Sequence, residues 1–242
     1  IDLTVLRPTR AEIDLANLRH NFQLLCPLAG SSRIMATVKA EAYGHGIIEI
    51  STTLEKYGAD YLAVGFLEEG VKLRTAGIKL PILVMGGLVD EQINHYLDYN
   101  LEITVSSIWK GRQVDKVAHM RSATANVHLK FDTGMGRIGQ NWQTADLLFS
   151  ELANFKHINV IGIYTHLASA EGTDLTFCHL QLDRFNAIVE SAGKHGINPP
   201  FIHAANSGAM IQLGEKANYT MVRPGLFLYG WAPSPHLEGC LP

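Results

Sequence analysis

Apolar positions recur along this chain in two alternating rhythms. Short runs rich in Val, Ile and Thr occupy residues 33–40, 61–66, 81–87, 101–107, 126–133, 160–167, 201–207 and 221–225. Bounded by turn-forming residues, such runs predict buried strands. Most of the intervening stretches place apolar residues three and four apart, which predicts helices packed on one face. The spacing predicts a helix over 14–26 with Asp14 as its N-cap, and a longer one over 173–194 capped by Thr173 and striped by Leu175, Leu182, Phe185 and Val189. Eight strand–helix units in about 230 residues predict an α/β fold of the (β/α)8 TIM-barrel type, since a doubly wound sheet more often stops at five or six strands. The barrel is expected over 1–230. Residues 231–242, rich in Pro and Gly, read as a linker toward a further domain. The chain opens on Ile1 without a Met, so an upstream segment is expected to have been removed.

Composition narrows the class. The 242 residues are 47% hydrophobic and 18% charged, which suits one large globular domain. Twenty basic against 23 acidic residues give a net charge of −3 without any basic block, so nucleic acid is not an expected partner. Cys26, Cys178 and Cys240 are odd in number and lack a CxxC spacing, which argues against a disulfide framework or a zinc site and for a reducing cytoplasm. No apolar run approaches the roughly 18 residues of a membrane span.

In a barrel of this kind the chemistry sits at the C-terminal strand ends. Period-two alternation groups Lys39 with Met35 and Thr37, Lys130 with His128 and Asp132, His166 with Tyr164, Ser207 with His203, and Arg223 with Met221. If those parities face the axis, Lys39, Lys130, His166, Ser207 and Arg223 reach one mouth. Lys39 itself must be paired, exposed at a strand tip, or used for the chemistry of its amine. So many buried cationic and polar groups would be costly without a ligand, and an anionic cofactor would offset that cost. The NSG and RPG segments ending the last two strands suit a phosphate held on loop amides, with Ser207 and Tyr43 adding hydroxyls. An amine able to form an imine beside a phosphate site suggests pyridoxal 5′-phosphate.

Five segments, VKAEAYGHG (38–46), HLKFDTGMGRIG (128–139), YTHLASA (164–170), HAANSGA (203–209) and MVRPGLFLYG (221–230), together resemble the blocks of the alanine racemase family, in family order. The resemblance implies a fold-type III pyridoxal-phosphate barrel whose second, mostly β domain is absent from this chain. Lys39 then corresponds to the lysine that holds the cofactor as an imine and serves as one of two acid/base groups. Arg223 matches the arginine facing the pyridine nitrogen, with His166 buttressing it or the ring. Arg137 matches the residue contacting the cofactor's phenolic oxygen and the substrate carboxylate. Lys130 matches a lysine that is carbamylated in many members, where it can hold Arg137. Tyr43, Ser207, Gly225 and Leu226 match phosphate-binding positions, with Asn206 fixing the loop beside them. His45 is expected to shape its turn, and His20, His95 and His119 to lie on the surface. Trp109, Trp142 and Trp231 are expected to pack.

The resemblance further implies a small amino-acid substrate, a homodimer, and interconversion of L- and D-alanine that supplies D-amino acid for peptidoglycan. The second acid/base group would be a tyrosine of the missing domain, not Tyr164 or Tyr229, so the piece alone is expected to racemise poorly. Two alternatives stay open: a non-catalytic carrier of the same cofactor, and the serine racemase domain of a larger fused protein. A barrel metal hydrolase is disfavoured, because its first strand would carry an HxH pair and RIMATVKA has none.

Overall fold

The computed structural model describes residues 11–240. The chain's first residues, read above for a missing upstream segment, lie outside them. Among the described residues eight parallel strands build the barrel: β1 (Arg33–Thr37), β2 (Tyr61–Val64), β3 (Ile82–Val84), β4 (Glu102–Val105), β5 (Ala125–Asp132), β6 (Ile158–Tyr164), β7 (Phe201–His203) and β8 (Met221–Val222). From β1 to β7 each strand pairs with the next, and β8 pairs with β1, Arg33 opposite Met221 and Ile34 opposite Val222. Closure between β7 and β8 comes from Thr220 N–H donating to the Ile202 carbonyl (3.1 Å) and Arg223 N–H to that of Ala205 (2.9 Å). The barrel predicted from the alternating units is therefore present.

Alternation along β1 shows how the two cores divide. Ile34, Ala36 and Val38 point outward into the large cluster beneath the helices, whereas Met35 joins Tyr61, Ala63, Leu83, Tyr164 and Met221 inside the barrel. The predicted strands overrun the observed ladders, mostly at their C-terminal ends. Val38, Ala204 and Ala205 lie past the last rung yet are fully buried. Hydropathy reports burial and not pairing, so it cannot mark where a ladder stops.

The helix Leu15–Ala29 begins as predicted: the Asp14 carboxylate accepts from the backbone N–H of Ala16 (2.7 Å) and Asn17 (3.3 Å). The long helix runs Thr176–Lys194, shorter than predicted and not capped by Thr173. Its N-cap is Leu175, without a side-chain capping bond, and the Asp174 carboxylate just before it accepts from Thr176 N–H at 2.9 Å. The segment read as a linker packs on the barrel. It forms a single 3-10 turn, Pro235–Leu237, whose Leu237 is buried, and Ser234 Oγ donates to the Glu171 carbonyl. Among the described residues no helix is long and apolar enough to cross a membrane.

One irregularity shapes the interior. The β5–β6 register shifts between Val127 and His128, bringing His128 opposite Gly162. A Cβ at Gly162 would sit 2.0 Å from His128 Nδ1, so only glycine leaves room for the imidazole. Gly162→Ala is expected to destabilise the protein by about 2–3 kcal/mol through overpacking, measured as a lowered midpoint in denaturant unfolding with an unchanged slope.

Candidate active site at the C-terminal mouth

The C-terminal mouth holds a cavity of about 580 Å³, within the usual range for a small-molecule site. Lys39, Tyr43, Lys130, Arg137, His166, Asn206, Ser207, Arg223, Gly225 and Leu226 all border it. The sequence thus singled out ten residues from separate parts of the chain, and the barrel brings all ten to one cavity. It did not single out Thr37, Met85 or Glu171, which also border the cavity.

The first loop is built in an unusual way. Directly after β1 the backbone of Ala40, Glu41, Ala42 and Tyr43 turns left-handed, with φ of 53–55°. For L-residues this costs roughly 1–2 kcal/mol each. Local bonds hold the coil: Ala42 N–H to the Val38 carbonyl (2.9 Å), Gly44 N–H to that of Ala40 (2.9 Å), and Gly46 N–H to that of Glu41 (3.0 Å). Outside it, Lys72 pairs with the Glu41 carboxylate at 2.7 Å. Gly44 and Gly46 also take positive φ, 86° and 90°, but the strain falls on four residues with side chains. His45 fits its structural reading, since its Nδ1 bonds the Ala42 and Tyr43 carbonyls and its ring lies against Tyr229.

This coil returns the Tyr43 phenol over Gly225. A Cβ there would lie 2.7 Å from the Tyr43 hydroxyl, so the cradle is open because residue 225 is glycine. Gly225 N–H donates to Ser207 Oγ at 2.9 Å, tying the loop after β8 to the one after β7. Asn206 accepts from Ala209 N–H through its side chain (3.0 Å) and fixes the turn as predicted. Hydroxyls and small-residue backbone therefore converge on one side of the cavity, the arrangement that receives a phosphate.

Cations also border the cavity. Arg223 is buried, and three of its N–H groups are committed: Nη1 to His203 Nδ1 (2.9 Å), and Nη2 to the carbonyls of Thr165 (2.7 Å) and Ala204 (3.1 Å). Its Nε–H and second Nη1–H remain for a ligand in the cavity it borders. The buttress of Arg223 is thus His203, not His166. His166 borders the cavity, and burial followed by the charges of Arg223 and Arg137 lowers its pKa to about 3, so its ring stays neutral at ordinary pH. The Lys39 amine is held below the usual lysine range, first by burial and then by Arg137. Burial, Arg223 and Arg137 likewise bring Lys130 down to about 8. Its ammonium lies 5.3 Å from the centre of the Tyr164 ring. Arg137 is exposed at the mouth. Trp109 and Trp231 are 59% and 66% exposed and do not pack as expected.

The family model described as "Alanine racemase, N-terminal domain" matches residues 13–233. The chain belongs to the alanine racemase family. It is 41% identical to alanine racemase from Geobacter sp. strain M21, over 98% of this chain and 64% of that protein. It is also 41% identical to the enzyme from Carboxydothermus hydrogenoformans, over 95% of this chain and 62% of that protein. Among solved structures, alanine racemase from Clostridium difficile 630 in complex with cycloserine superposes with a TM-score of 0.90 at 34% identity, covering 95% of this chain and 63% of that one. The Bacillus anthracis enzyme with bound L-Ala-P gives 0.88 at 31% identity, covering 95% of this chain and 60% of that one. The chain spans less than two thirds of the length of these family members.

Burial makes a prediction for Lys130. Below pH 8 its ammonium is protonated in both folded and unfolded chains, and the folded state bears the desolvation penalty. Between pH 8 and about 10.5 only the unfolded chain keeps the proton, so native stability rises with pH. Lys130→Met is therefore expected to stabilise the cofactor-free protein near pH 7 in CO2-free buffer, with an advantage that narrows by about 3 kcal/mol by pH 10.5, measured by urea unfolding of both proteins across that range.

Proposed function

We propose that this chain is the cofactor-binding barrel of a pyridoxal-phosphate-dependent alanine racemase, interconverting L- and D-alanine by removing and returning the Cα proton. The observation that carries this reading is the Lys39 amine, kept below the usual lysine range by burial and Arg137 within the cavity that also holds the Tyr43–Ser207–Gly225 cradle. The residues present fit that cofactor. A lysine that gives up its proton readily can join its aldehyde, the cradle can take its phosphate, and the free N–H groups of Arg223 can face its ring nitrogen. When bound, the cofactor supplies an electron sink for the pair left on Cα.

The chain's own residues then have distinct tasks. Lys39, once released by substrate, takes the Cα proton on one face as a neutral amine. Arg223 donates a hydrogen bond to the ring nitrogen without transferring its proton, because a guanidinium keeps that proton even where burial lowers its pKa to about 10. By withholding that proton Arg223 would favour return of the Cα proton over transamination. Arg137, exposed at the mouth, receives the substrate carboxylate through its planar fork. His166 walls the cavity as a neutral ring. Lys130 reacts as the free amine with CO2, releasing a proton and leaving an anionic carbamate that anchors Arg137.

The second acid/base group would come from a further domain of a partner subunit in a homodimer. Such an enzyme acts in the cytoplasm and supplies D-alanine to peptidoglycan. A serine substrate and a non-catalytic carrier are the competing outcomes.

Borohydride reduction of the full-length polypeptide with cofactor is expected to fix a pyridoxyl group on Lys39, mapped by peptide mass, and Lys39→Ala to abolish it. With L-alanine in D2O, the full-length protein is expected to give deuterated D-alanine, while residues 1–242 bind cofactor but turn over at least tenfold more slowly (order of magnitude, about one catalytic proton-transfer group). Equal rates from the short and long chains, or turnover of serine only, would overturn the assignment.

A further inference from the structure

Behind Arg223 a hydrogen-bonded row runs down the inside of the barrel toward its N-terminal end. Arg223 Nη1 meets His203 Nδ1 at 2.9 Å, His203 Nε2 meets His128 Nδ1 at 2.9 Å, and His128 Nε2 meets Glu102 Oε2 at 3.0 Å. Tyr61 OH donates to the other carboxylate oxygen at 3.3 Å. Both imidazoles are fully buried and Glu102 nearly so. His203 stacks on Tyr164 at 4.7 Å and 4°, His128 stacks on Phe201 at 6.2 Å and 8°, and the absent side chain of Gly162 makes the room His128 needs.

Its protons have a single consistent arrangement. A guanidinium only donates, so His203 Nδ1 carries a lone pair and Nε2 the proton. That proton goes to His128 Nδ1, which leaves the proton of His128 on Nε2, directed at an ionised carboxylate that only accepts. Reversal would have Glu102 donate to His128 and His128 donate to His203, leaving His203 with lone pairs on both nitrogens or with its Nδ1–H against Arg223. Neither is tolerable in a buried site.

We propose that Glu102 and His128 are positioning residues: by fixing the proton of His203 on Nε2 they keep Nδ1 available to Arg223 and so orient the guanidinium toward the cavity. The tie between Arg223 and a cofactor rests on the function proposed above, whereas the order of the protons does not. Two further features support the row: Glu102 opens a buried strand, and Gly162 leaves the space that the His128 ring occupies.

The test uses the full-length polypeptide labelled with 15N-histidine. Ring spectra of the wild type are expected to show His128 and His203 neutral and protonated on Nε2. Glu102→Leu removes the terminal acceptor. It is expected to expose the His128 ring proton to fast exchange, to shift His203 toward a mixture of tautomers, and to weaken pyridoxal phosphate binding, read by absorbance titration, about tenfold, as when an outer partner of a ligating group is lost. Glu102→Gln keeps an acceptor oxygen and is expected to restore both readouts. A wild-type His203 protonated on Nδ1, or Glu102→Leu with unchanged ring spectra and unchanged cofactor affinity, overturns the proposal. Wild type that binds no cofactor would refute the proposed function instead, and the ring spectra would still decide the row.

Discussion

Everything at the mouth of this barrel depends on cations gathered in a poorly hydrated place. Lys39, Lys130, Arg137 and Arg223 border one cavity; burial and the neighbouring arginines disfavour the charges of Lys39 and Lys130, and burial disfavours that of Arg223. The side chains answer this differently. An arginine whose pKa falls to about 10 still keeps its proton, whereas a lysine lowered to about 8 lies near the point of losing it. One crowded field thus sorts its members into permanent hydrogen-bond donors and amines that become nucleophilic. The neutral His166 completes the wall without adding to the repulsion.

Such a field is tolerable only if its permanent charge is well held. Arg223 meets two backbone carbonyls and an imidazole, and that imidazole passes the demand for an acceptor along to His128 and Glu102. The carboxylate sits far enough away that it does not form a direct ion pair with the guanidinium, yet the chain of rings lets it decide where protons lie. Aromatic neighbours supply stiffness on both sides of the row.

Much of this was legible in the residues. The barrel followed from the alternation of runs, the Asp14 cap from residue type, and the site from strand-end parity together with five blocks that resemble the alanine racemase family. Other parts were hidden for physical reasons. Strand ends were overrun because Val38, Ala204 and Ala205 stay apolar past the last rung. The long helix starts later than Thr173 would set it, with Leu175 at its cap and the Asp174 carboxylate bonding Thr176 N–H, a boundary that local sequence leaves nearly degenerate. His203 was passed over for His166 as the partner of Arg223, although His128 and His203 share the inward parity of their strands and an acidic residue opening a buried strand, Glu102, was a signal that such rings had a partner to find.

The left-handed coil of Ala40–Tyr43 has one last consequence. A right-handed helix tolerates another turn cheaply, but every residue added to a mirror-wound one raises its energy by a further ~1–2 kcal/mol. Insertion at this point is therefore resisted by chirality itself. The coil acts as a ruler of fixed length between the Lys39 amine and the Tyr43 phenol, so evolution can retouch the side chains along it far more easily than it can change the distance it measures.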